Sequence, residues 1–280
     1  MLAIPFPDLN PVALELGPIV VKWYGLAYLA GLVLGWLYIR RLIATPGVWA
    51  GGVAPFPPEK VDDLLLYMTL GVILGGRLGM VLLYEPQYYL KNPLEILQIW
   101  KGGMAFHGAL LGCGFAIWLF ARRNGVNPLS TMDLCAAAVP IGLFFGRIAN
   151  FINGELWGRP TSVPWAMIFP EAQRWFPAIE PTGRHPSQLY EALAEGILLF
   201  LLLRVLTHRV GALSSPGRVT GVFLAGYGVA RSSCEVFRQF DPYHALSAYG
   251  LTPGQVYSVP MILLGLWFLY LSRRATQPAT

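Results

Sequence analysis

The chain has 280 residues, of which 55% are hydrophobic and only 12% are charged. That charged share is about half of what a soluble domain carries, so composition excludes both a soluble globular protein and a disordered chain. The formal net charge of +5 does not indicate a nucleic-acid partner, because no basic run exceeds two residues and the basic pairs end apolar segments. A multi-span membrane protein is the class that remains.

Seven apolar segments follow one another along the chain, each near the ~20 residues that cross a bilayer as a helix. We predict an all-α integral membrane protein with a single membrane-embedded domain over residues 1–280. The predicted spans are residues 19–39, 61–83, 104–121, 131–151, 188–206, 219–237 and 256–272, with an external loop at 152–187. Three of them are interrupted by an arginine: Arg77, Arg147 and Arg231.

Lysines and arginines near the span ends predict the orientation. Ten of them fall on one side of the membrane and six on the other. The richer side includes the pairs Arg40–Arg41 and Arg122–Arg123. Because basic residues concentrate in cytoplasmic loops, we expect the N-terminus outside and the C-terminus in the cytoplasm.

Glycines four residues apart recur within the predicted spans. This spacing places small residues on one helix face and lets neighbouring backbones approach closely. The positions are Gly31/Gly35, Gly71/Gly75/Gly79, Gly108/Gly112 and Gly142/Gly146. We therefore expect these faces to be helix-packing surfaces.

The fourth span ends in the motif GRIANFINGELWGR, which places polar groups where a membrane helix normally has none. Arg147 and Asn150 share a helix face, and Glu155 and Gly158 follow at the outer boundary. A forked, permanently charged guanidinium suits a lipid phosphate, since it can bind two oxygens. The alternative is that Arg147 merely pairs with a buried carboxylate such as Glu195 or Glu235.

The sixth span, in GYGVARSSCEVFRQFD, carries a second polar stripe. Its members are spaced four, four and three residues apart: Tyr227, Arg231, Glu235 and Arg238. Arg231 and Glu235 could simply neutralise each other. Arg147, however, adds a second deep positive charge without an evident second deep acid, so the pattern favours an anion site over two independent salt bridges.

Polar residues near the outer ends of the other predicted spans also favour a functional site at the outer face. His107, in GGMAFHG, is a candidate general base because histidine titrates near neutral pH, although a lone interfacial histidine is more often only a hydrogen-bonding residue. Tyr24 and His185 also map to the outer half, and Glu191 and Glu195 lie on one face of the fifth span. These groups predict an enzyme acting on an anionic phospholipid at the outer leaflet.

Two other functions fit part of the pattern. An anion channel or transporter would explain buried arginines, but it predicts polar residues through both leaflets, and the cytoplasmic halves of the spans are almost wholly apolar. A metal-dependent head-group enzyme needs clustered acidic ligands. The sequence suggests no tight acidic cluster, since Asp62 and Asp63 are a helix-start pair at a cytoplasmic end.

The same segments resemble the bacterial prolipoprotein diacylglyceryl transferases, and the similarity covers residues 17–272. The resemblance implies a seven-helix enzyme of the bacterial inner membrane that moves the diacylglyceryl group of phosphatidylglycerol to a cysteine thiol in a prolipoprotein lipobox. The resemblance further implies that the enzyme releases glycerol-1-phosphate and catalyses the first step of lipoprotein maturation. It implies no metal or organic cofactor. The matching blocks are WYGLAY, GGRLGMVLLYE, GGMAFHG, GRIANFINGELWGR, RHPSQLYE and GYGVARSSCEVFRQFD.

The resemblance also implies a set of functional residues, and all their types are intact here: Tyr24, His107, Arg147, Asn150, Glu155, Gly158, Tyr227 and Arg231. We expect Arg147 and Arg231 to meet the charge of the departing phosphate, and His107 to be the base that activates the thiol. Tyr227 could instead hold the thiol or donate to the leaving group. Asn150 is expected to bind the head group or to hold Arg147, and Glu155 to orient an arginine or the terminal glycerol hydroxyls of the lipid. Gly158 is expected to permit a tight turn, and His185 to organise its loop. Glu235 is expected to fix Arg231 or Arg238. The expected substrate-binding residues are Tyr24, Arg147, Asn150, Glu155, Gly158, Arg231, Glu235 and Arg238. No metal-binding residue is predicted.

Overall fold

A computed structural model describes residues 3–175 apart from residues 8 and 18, then residues 182–239 and 251–275. The described chain is mostly helical. It forms two compact units, one made of Met1–Tyr38 with Asp133–Thr280 and the other of Ile39–Met132.

The N-terminal residues form short strands before the first helix. Strand β1 (Ile4–Pro5) pairs in parallel with a later strand, and β2 (Val12–Leu16) forms an antiparallel hairpin with β3 (Ile19–Lys22). Helix α1 begins only at Trp23 and ends at Ile43. The predicted span start at residue 19 and the all-α class are therefore wrong for this segment, because the β-branched run Ile-Val-Val pairs with β2 instead of joining the helix.

The smaller unit is built around two long helices. Helix α2 (Lys60–Gly79) continues into a π-helical turn, which is followed by helix α3 (Pro86–Lys91). Two short 3₁₀ turns then lead to helix α4 (Phe106–Asn124). The π-helical turn is Met80–Tyr84, and the 3₁₀ turns are Pro93–Leu97 and Ile99–Lys101. Helix α4 ends at Gly125, whose φ of 66° is the left-handed conformation of a glycine C-cap.

Helices α2 and α4 pack through their glycines. A Cβ atom on Gly75 would lie 2.8 Å from the Gly112 Cα, and one on Gly79 would lie 2.7 Å from the Gly108 Cα. No side chain larger than hydrogen fits at such contacts, so the backbones touch directly. The packing role predicted for the spaced glycines is confirmed in α2 and α4. It is also confirmed at Gly31, where an added Cβ would lie 2.9 Å from the Gly142 Cα, but not at Gly146, where an added Cβ would meet no atom within 4 Å.

Arg77 is a structural residue in this unit. Its side chain is only 6% exposed, and its guanidinium donates to the carbonyls of Ile96 (2.8 Å) and Gly102 (2.7 Å), with further bonds to the carbonyls of Glu95 and Gly103. The same guanidinium lies 5.0 Å from the ring centroid of Tyr89. One arginine thus binds the irregular segment between α2 and α4 to the end of α2.

The larger unit contains the remaining helices. They are α5 (Pro128–Ile152), α6 (Pro170–Trp175), a continuous helical run made of α7 (Ser187–Glu191), the π-helical Ala192–Leu198 and α8 (Leu199–His208), then α9 (Arg218–Glu235) and α10 (Pro253–Ala275). Strand β4 (Met167–Ile168) pairs with β1. Part of the predicted external loop, residues 176–181, lies outside the described residues.

A buried aspartate connects α5 to the start of α9. Asp133 is fully buried, and its carboxylate accepts hydrogen bonds from the backbone N–H groups of Gly217 (2.8 Å) and Thr220 (2.7 Å) and from the Thr220 hydroxyl (2.7 Å). These N–H groups belong to the first turn of α9 and its N-cap, where a helix has unpaired donors and favours negative charge. The bond fixes the helix that carries Arg231 against the helix that carries Arg147.

Four helical segments of the described chain are long and apolar enough to cross a membrane: Trp23–Ile43, Lys60–Tyr84, Pro128–Ile152 and Pro253–Arg273. They coincide with the first, second, fourth and seventh predicted spans. The other three predicted spans are also helical, as α4, the α7–α8 run and α9. The helices begin and end within a few residues of the predicted boundaries.

Candidate active site

Arg147, near the end of α5, is held by two glutamates of the α7–α8 run. Its Nε and Nη2 atoms donate to one carboxylate oxygen of Glu195 at 3.0 and 2.9 Å, and its Nη1 lies 3.0 Å from Glu191 Oε2. Both glutamates are fully buried, whereas the arginine side chain keeps 15% exposure. The two acids are four residues apart in the helical run, so both face α5.

Arg231 of α9 meets the same two glutamates and one on its own helix. It bonds to Glu191 Oε1, lies 2.7 Å from Glu235 Oε2 and reaches Glu195 Oε1 at 3.8 Å. Arg238 also donates to Glu191 Oε1, at 3.0 Å. Glu191 therefore contacts three guanidinium groups.

These six residues are called the Arg–Glu cluster below: Arg147, Arg231, Arg238, Glu191, Glu195 and Glu235. With every member ionised the cluster is formally neutral. The arginine side chains are 15–17% exposed, while Glu191 and Glu195 have no exposure at all. The charge that reaches the surface of the cluster is thus positive, because the guanidinium groups lie outside the carboxylates.

The cluster corrects two expectations. Arg147 does pair with buried acid, as the alternative held, but with Glu195 and Glu191 and not with Glu235. The expected lack of a second deep acid is wrong. The reason is that three glutamates from two helices converge on the same arginines, and sequence spacing shows only contacts within one helix. Glu235 fixes Arg231, as expected, and Arg238 is fixed by Glu191.

The converging carboxylates are occupied by guanidinium groups. Among the described residues, no group of three or more His, Cys, Asp or Glu side chains is arranged to hold a metal ion. A cofactor-free reaction stays a prediction.

The loop after α5 forms a second polar group. Asn150 donates to Glu155 Oε1 at 2.8 Å, and Asn153 approaches the same oxygen at 3.4 Å. Glu155 was a candidate partner of an arginine or of lipid hydroxyls, and its observed partners are these two amides. Asn150 was likewise a candidate support for Arg147, and its side chain donates to Glu155 instead.

This loop is fixed to the first turn of α7. The Glu155 carbonyl accepts from Gln188 Nε2 at 2.6 Å, and the Leu156 carbonyl accepts from the Ser187 hydroxyl at 3.0 Å. Leu156 has a φ of 60°, a left-handed conformation that non-glycine residues rarely adopt. Strain of this kind persists only where surrounding bonds hold it, and here both flanking carbonyls are bound by buried side chains.

Gly158 lies where three backbone segments meet. Its N–H donates to the His185 carbonyl at 2.8 Å, and an added Cβ would lie 2.5 Å from the Phe237 carbonyl oxygen. The expected reason for this glycine, a tight turn, is wrong. Gly158 is required because the segments before α7 and after α9 approach too closely for any side chain, while the left-handed φ occurs at Gly154 (65°).

His185 is part of the packing around this loop. Its Nδ1 lies 3.1 Å from the Tyr190 hydroxyl, and its ring contacts Phe237 edge to face at a centroid distance of 5.1 Å. Burial lowers the pKa of His185 below its usual value, which favours the neutral imidazole at neutral pH. A neutral, bonded ring agrees with the structural role expected for this residue.

Two tyrosines lie near the cluster within the same unit. The hydroxyl of Tyr24 is 3.2 Å from that of Tyr28, and Tyr24 lies within electrostatic range of Glu155 and Arg147. Tyr227 precedes Arg231 by one helical turn, stacks on Phe223 and lies within electrostatic range of Arg147. All the predicted site residues except His107 therefore belong to the larger unit, and they converge on the Arg–Glu cluster and the loop after α5.

His107 belongs to the smaller unit, at the start of α4. Its Nδ1 shares a 2.9 Å hydrogen bond with the hydroxyl of Tyr84, the last residue of the π-helical turn after α2. π-Helical turns interrupt α-helices most often at functional sites. Tyr84 lies within the matched block GGRLGMVLLYE, but sequence reasoning gave it no role, because a tyrosine at a membrane boundary is ordinarily an anchor.

A buried ionic cluster that includes Arg147 of the membrane-length apolar helix α5 indicates a membrane protein with a polar site between helices. The chain matches the family model described as prolipoprotein diacylglyceryl transferase over residues 11–271. It belongs to the prolipoprotein diacylglyceryl transferase family and is thus a membrane transferase.

Relatives of known name cover almost the whole chain. The phosphatidylglycerol–prolipoprotein diacylglyceryl transferase of Rhizobium leguminosarum bv. trifolii is 51% identical over 277 residues, covering 98% of this chain and 96% of the relative. The enzyme of that name from Rhizobium meliloti is 50% identical, with 99% and 96% covered. That of Methylocella silvestris is 52% identical, with 99% and 98% covered.

Proposed function

We propose that this chain transfers the diacylglyceryl group of phosphatidylglycerol to the thiol of a lipobox cysteine in a prolipoprotein. The transfer releases glycerol-1-phosphate and is the first step of bacterial lipoprotein maturation. Relatives named for this activity are 51% and 50% identical to the chain and cover 98% and 99% of it, which supports the proposed reaction. The observation that carries the chemistry is the pair of partly exposed guanidinium groups, Arg147 and Arg231, held on one buried carboxylate.

The reaction requires a site that stabilises a departing phosphate. The sulfur attacks a glycerol carbon, a carbon–sulfur bond forms, and the carbon–oxygen bond to phosphate breaks. The thiol proton goes to a base, and the leaving phosphate takes the electron pair and gains negative charge. Arg147 and Arg231 present forked N–H donors toward that charge, in a site where few water molecules compete.

The glutamates that neutralise Arg147 and Arg231 do not prevent these arginines from stabilising the leaving phosphate. A guanidinium carries five N–H donors on three nitrogen atoms. All three nitrogen atoms of Arg147 lie against Glu191 or Glu195, and each of the two terminal nitrogen atoms keeps a second N–H group for a phosphate. The carboxylates hold the planar groups in one orientation before the lipid binds. Donors that are already oriented need no rearrangement as charge develops, so they stabilise the transition state more than the bound lipid.

The loop after α5 is proposed to bind the head group. Asn150 and Glu155 are hydrogen-bonded to each other, and Tyr24 lies within electrostatic range of Glu155. Amide, carboxylate and phenol groups together match the hydroxyls of a glycerol head group. Gly158 supports this loop by close packing, and Arg238 and Glu235 complete the cluster behind Arg231.

Either His107 or Tyr227 is proposed to activate the thiol, with His107 as the preferred base. Tyr84 orients the His107 ring through Nδ1, as a supporting group does for a catalytic base. A free thiol has a pKa near ~8.5, so a base raises the small thiolate fraction present at neutral pH. Tyr227 is the alternative, since it lies one turn from Arg231 and within electrostatic range of Arg147.

The topology belongs to the proposal as well. We propose seven membrane-spanning helices in a single membrane-embedded domain of the bacterial inner membrane, with the N-terminus outside and the C-terminus in the cytoplasm. Helices at all seven predicted positions and the ten-to-six asymmetry of basic residues support this arrangement. In this orientation the end of α5 and the start of α7 lie toward the outer face, where the prolipoprotein cysteine arrives.

The reaction is tested with the purified chain in micelles that contain phosphatidylglycerol and a lipobox peptide. We expect the peptide to gain the mass of one diacylglyceryl group, in step with release of glycerol phosphate. A peptide with serine in place of the cysteine should gain no mass, and a chelator should leave the rate unchanged. Head-group release that does not need the cysteine, or that a chelator abolishes, would contradict the proposal and indicate a hydrolase or a metal-dependent enzyme.

A further inference from the structure

We propose that Glu191 is a positioning residue that sets the separation of the Arg147 and Arg231 guanidinium groups. This inference rests on the proposed function and adds a residue to its machinery. Glu191 has one carboxylate oxygen on each side of the site. Its Oε2 lies 3.0 Å from Arg147 of α5, and its Oε1 bonds to Arg231 of α9.

The neighbouring acids do not bridge the two arginines in this way. Glu195 binds Arg147 at 2.9 Å but stays 3.8 Å from Arg231, beyond hydrogen-bond distance. Glu235 binds Arg231 at 2.7 Å. Glu195 thus forms an ion pair with both arginines but binds only Arg147 closely. In the described part of the chain, Glu191 is the carboxylate that lies within 3.0 Å of guanidinium groups of both α5 and α9, and it also binds Arg238.

The backbone that carries Glu191 is itself fixed. Ser187 and Gln188, one turn earlier, are fully buried and bind the carbonyls of Leu156 and Glu155. Glu191 is also fully buried, so its carboxylate cannot exchange an arginine for water. A planar carboxylate on a fixed helix turn therefore holds two guanidinium groups from different helices at one spacing.

The spacing matters because both arginines must contact the same phosphate as it leaves. Glutamine at position 191 preserves the shape of the side chain but replaces one oxygen by an NH₂ group, which cannot accept from a guanidinium. One arginine then loses its contact and moves. Since small misplacements of reacting or stabilising groups cost about 100-fold in rate, Glu191→Gln should lower kcat by about that factor. KM should change by less than about threefold, because the charge available to the ground-state lipid is not reduced.

Glu195→Gln is the matched control. Glu195 is equally buried, lies one turn further along the helical run, and makes two hydrogen bonds to Arg147. Its loss removes the same charge from the cluster but leaves the Glu191 bridge in place. We expect it to lower kcat by about tenfold at most, with a thermal unfolding midpoint equal to that of Glu191→Gln.

The experiment measures kcat, KM and the unfolding midpoint for the wild type and both variants in phosphatidylglycerol micelles with a lipobox peptide. Equal losses of kcat in the two variants, parallel to equal losses of stability, would overturn the inference and leave Glu191 a structural ion pair. An increase in KM with an unchanged kcat would also overturn the inference. If Glu191→Gln does not fold, Glu191→Asp replaces it, because the shorter side chain keeps the charge but cannot bridge the two arginines. A wild-type kcat in Glu191→Asp would overturn the inference.

The wild-type arm separates this inference from the proposed function. Transfer by the wild-type chain together with an active Glu191→Gln variant overturns the positioning role alone. No transfer by the folded wild-type chain overturns the proposed function, and the inference with it.

Discussion

At the scale of single residues, the arginines in the predicted spans have two kinds of partner. Arg77 lies in a predicted span and binds backbone carbonyls, with 6% exposure. Arg147 and Arg231 also lie in predicted spans, but they bind carboxylates and keep 15% of their side chains exposed. A buried guanidinium bound to carbonyls stabilises the local fold, whereas a partly exposed one oriented by acids can still bind an anion.

The choice between His107 and Tyr227 as the base is a residue-scale prediction. A general base acts in its deprotonated form, so the rate of the wild type should rise with pH as the base loses its proton. Glutamine at position 107 cannot titrate. His107→Gln should therefore abolish the low-pH part of this rise. The remaining rate should increase only as the substrate thiol ionises near pH ~8.5.

The measurement is the pH dependence of kcat/KM for the wild type, His107→Gln and Tyr227→Phe. His208→Gln is the control, because His208 ends α8 and bonds to Thr207 and to the Arg204 carbonyl. We expect its profile to match that of the wild type. An unchanged ascending limb in His107→Gln, with an altered limb in Tyr227→Phe, would assign the base to Tyr227.

At the scale of elements, glycine faces and helix positions follow from the sequence, but strand and π-helical segments do not. Spaced glycines predicted the packing of α2 on α4 because backbone contact requires small residues on one face. The β2–β3 hairpin was missed because its apolar run also fits the start of a membrane helix. The π-helical turns Met80–Tyr84 and Ala192–Leu198 have no local sequence signal, since their extra residue is accommodated by tertiary packing.

The glycine contacts predict opposite effects for two substitutions on one helix. Gly112→Ala places a Cβ against the Gly71 backbone, so it should lower the stability of the smaller unit by roughly 1–3 kcal/mol through overpacking. Gly114→Ala meets no atom within 4 Å and should raise stability slightly, because alanine favours the helix by about 1 kcal/mol. Thermal unfolding in detergent micelles compares the two variants with the wild type. Equal midpoints for both would contradict direct backbone packing.

At the scale of the whole molecule, the sequence indicated which polar residues lie in the candidate site, but not how they are paired. Tyr24, Arg147, Asn150 and Arg231 stood out because polar groups are rare in membrane helices, and their roles in the reaction stay predictions. The network that holds the arginines was not, because Glu191 and Glu195 reach them from a different helix. Contacts between helices depend on rotation and depth, which spacing within one helix does not determine.

The central claim is that the Arg–Glu cluster stabilises the phosphate that leaves during diacylglyceryl transfer. The clearest measurement is glycerol phosphate release with a lipobox peptide by the wild type, Arg147→Ala and Arg147→Lys. Arg174→Ala is the control, because Arg174 is largely exposed and forms an ion pair with Glu171. All four proteins should insert into membranes.

We expect Arg147→Ala to lower the rate at least 100-fold, toward no detectable transfer, because it removes an oriented donor to the leaving phosphate. Arg147→Lys should be strongly impaired although the charge remains, since an ammonium group cannot bind both glutamates and a phosphate in a fork. Arg174→Ala should retain the wild-type rate. Full activity in folded Arg147→Ala would contradict the account.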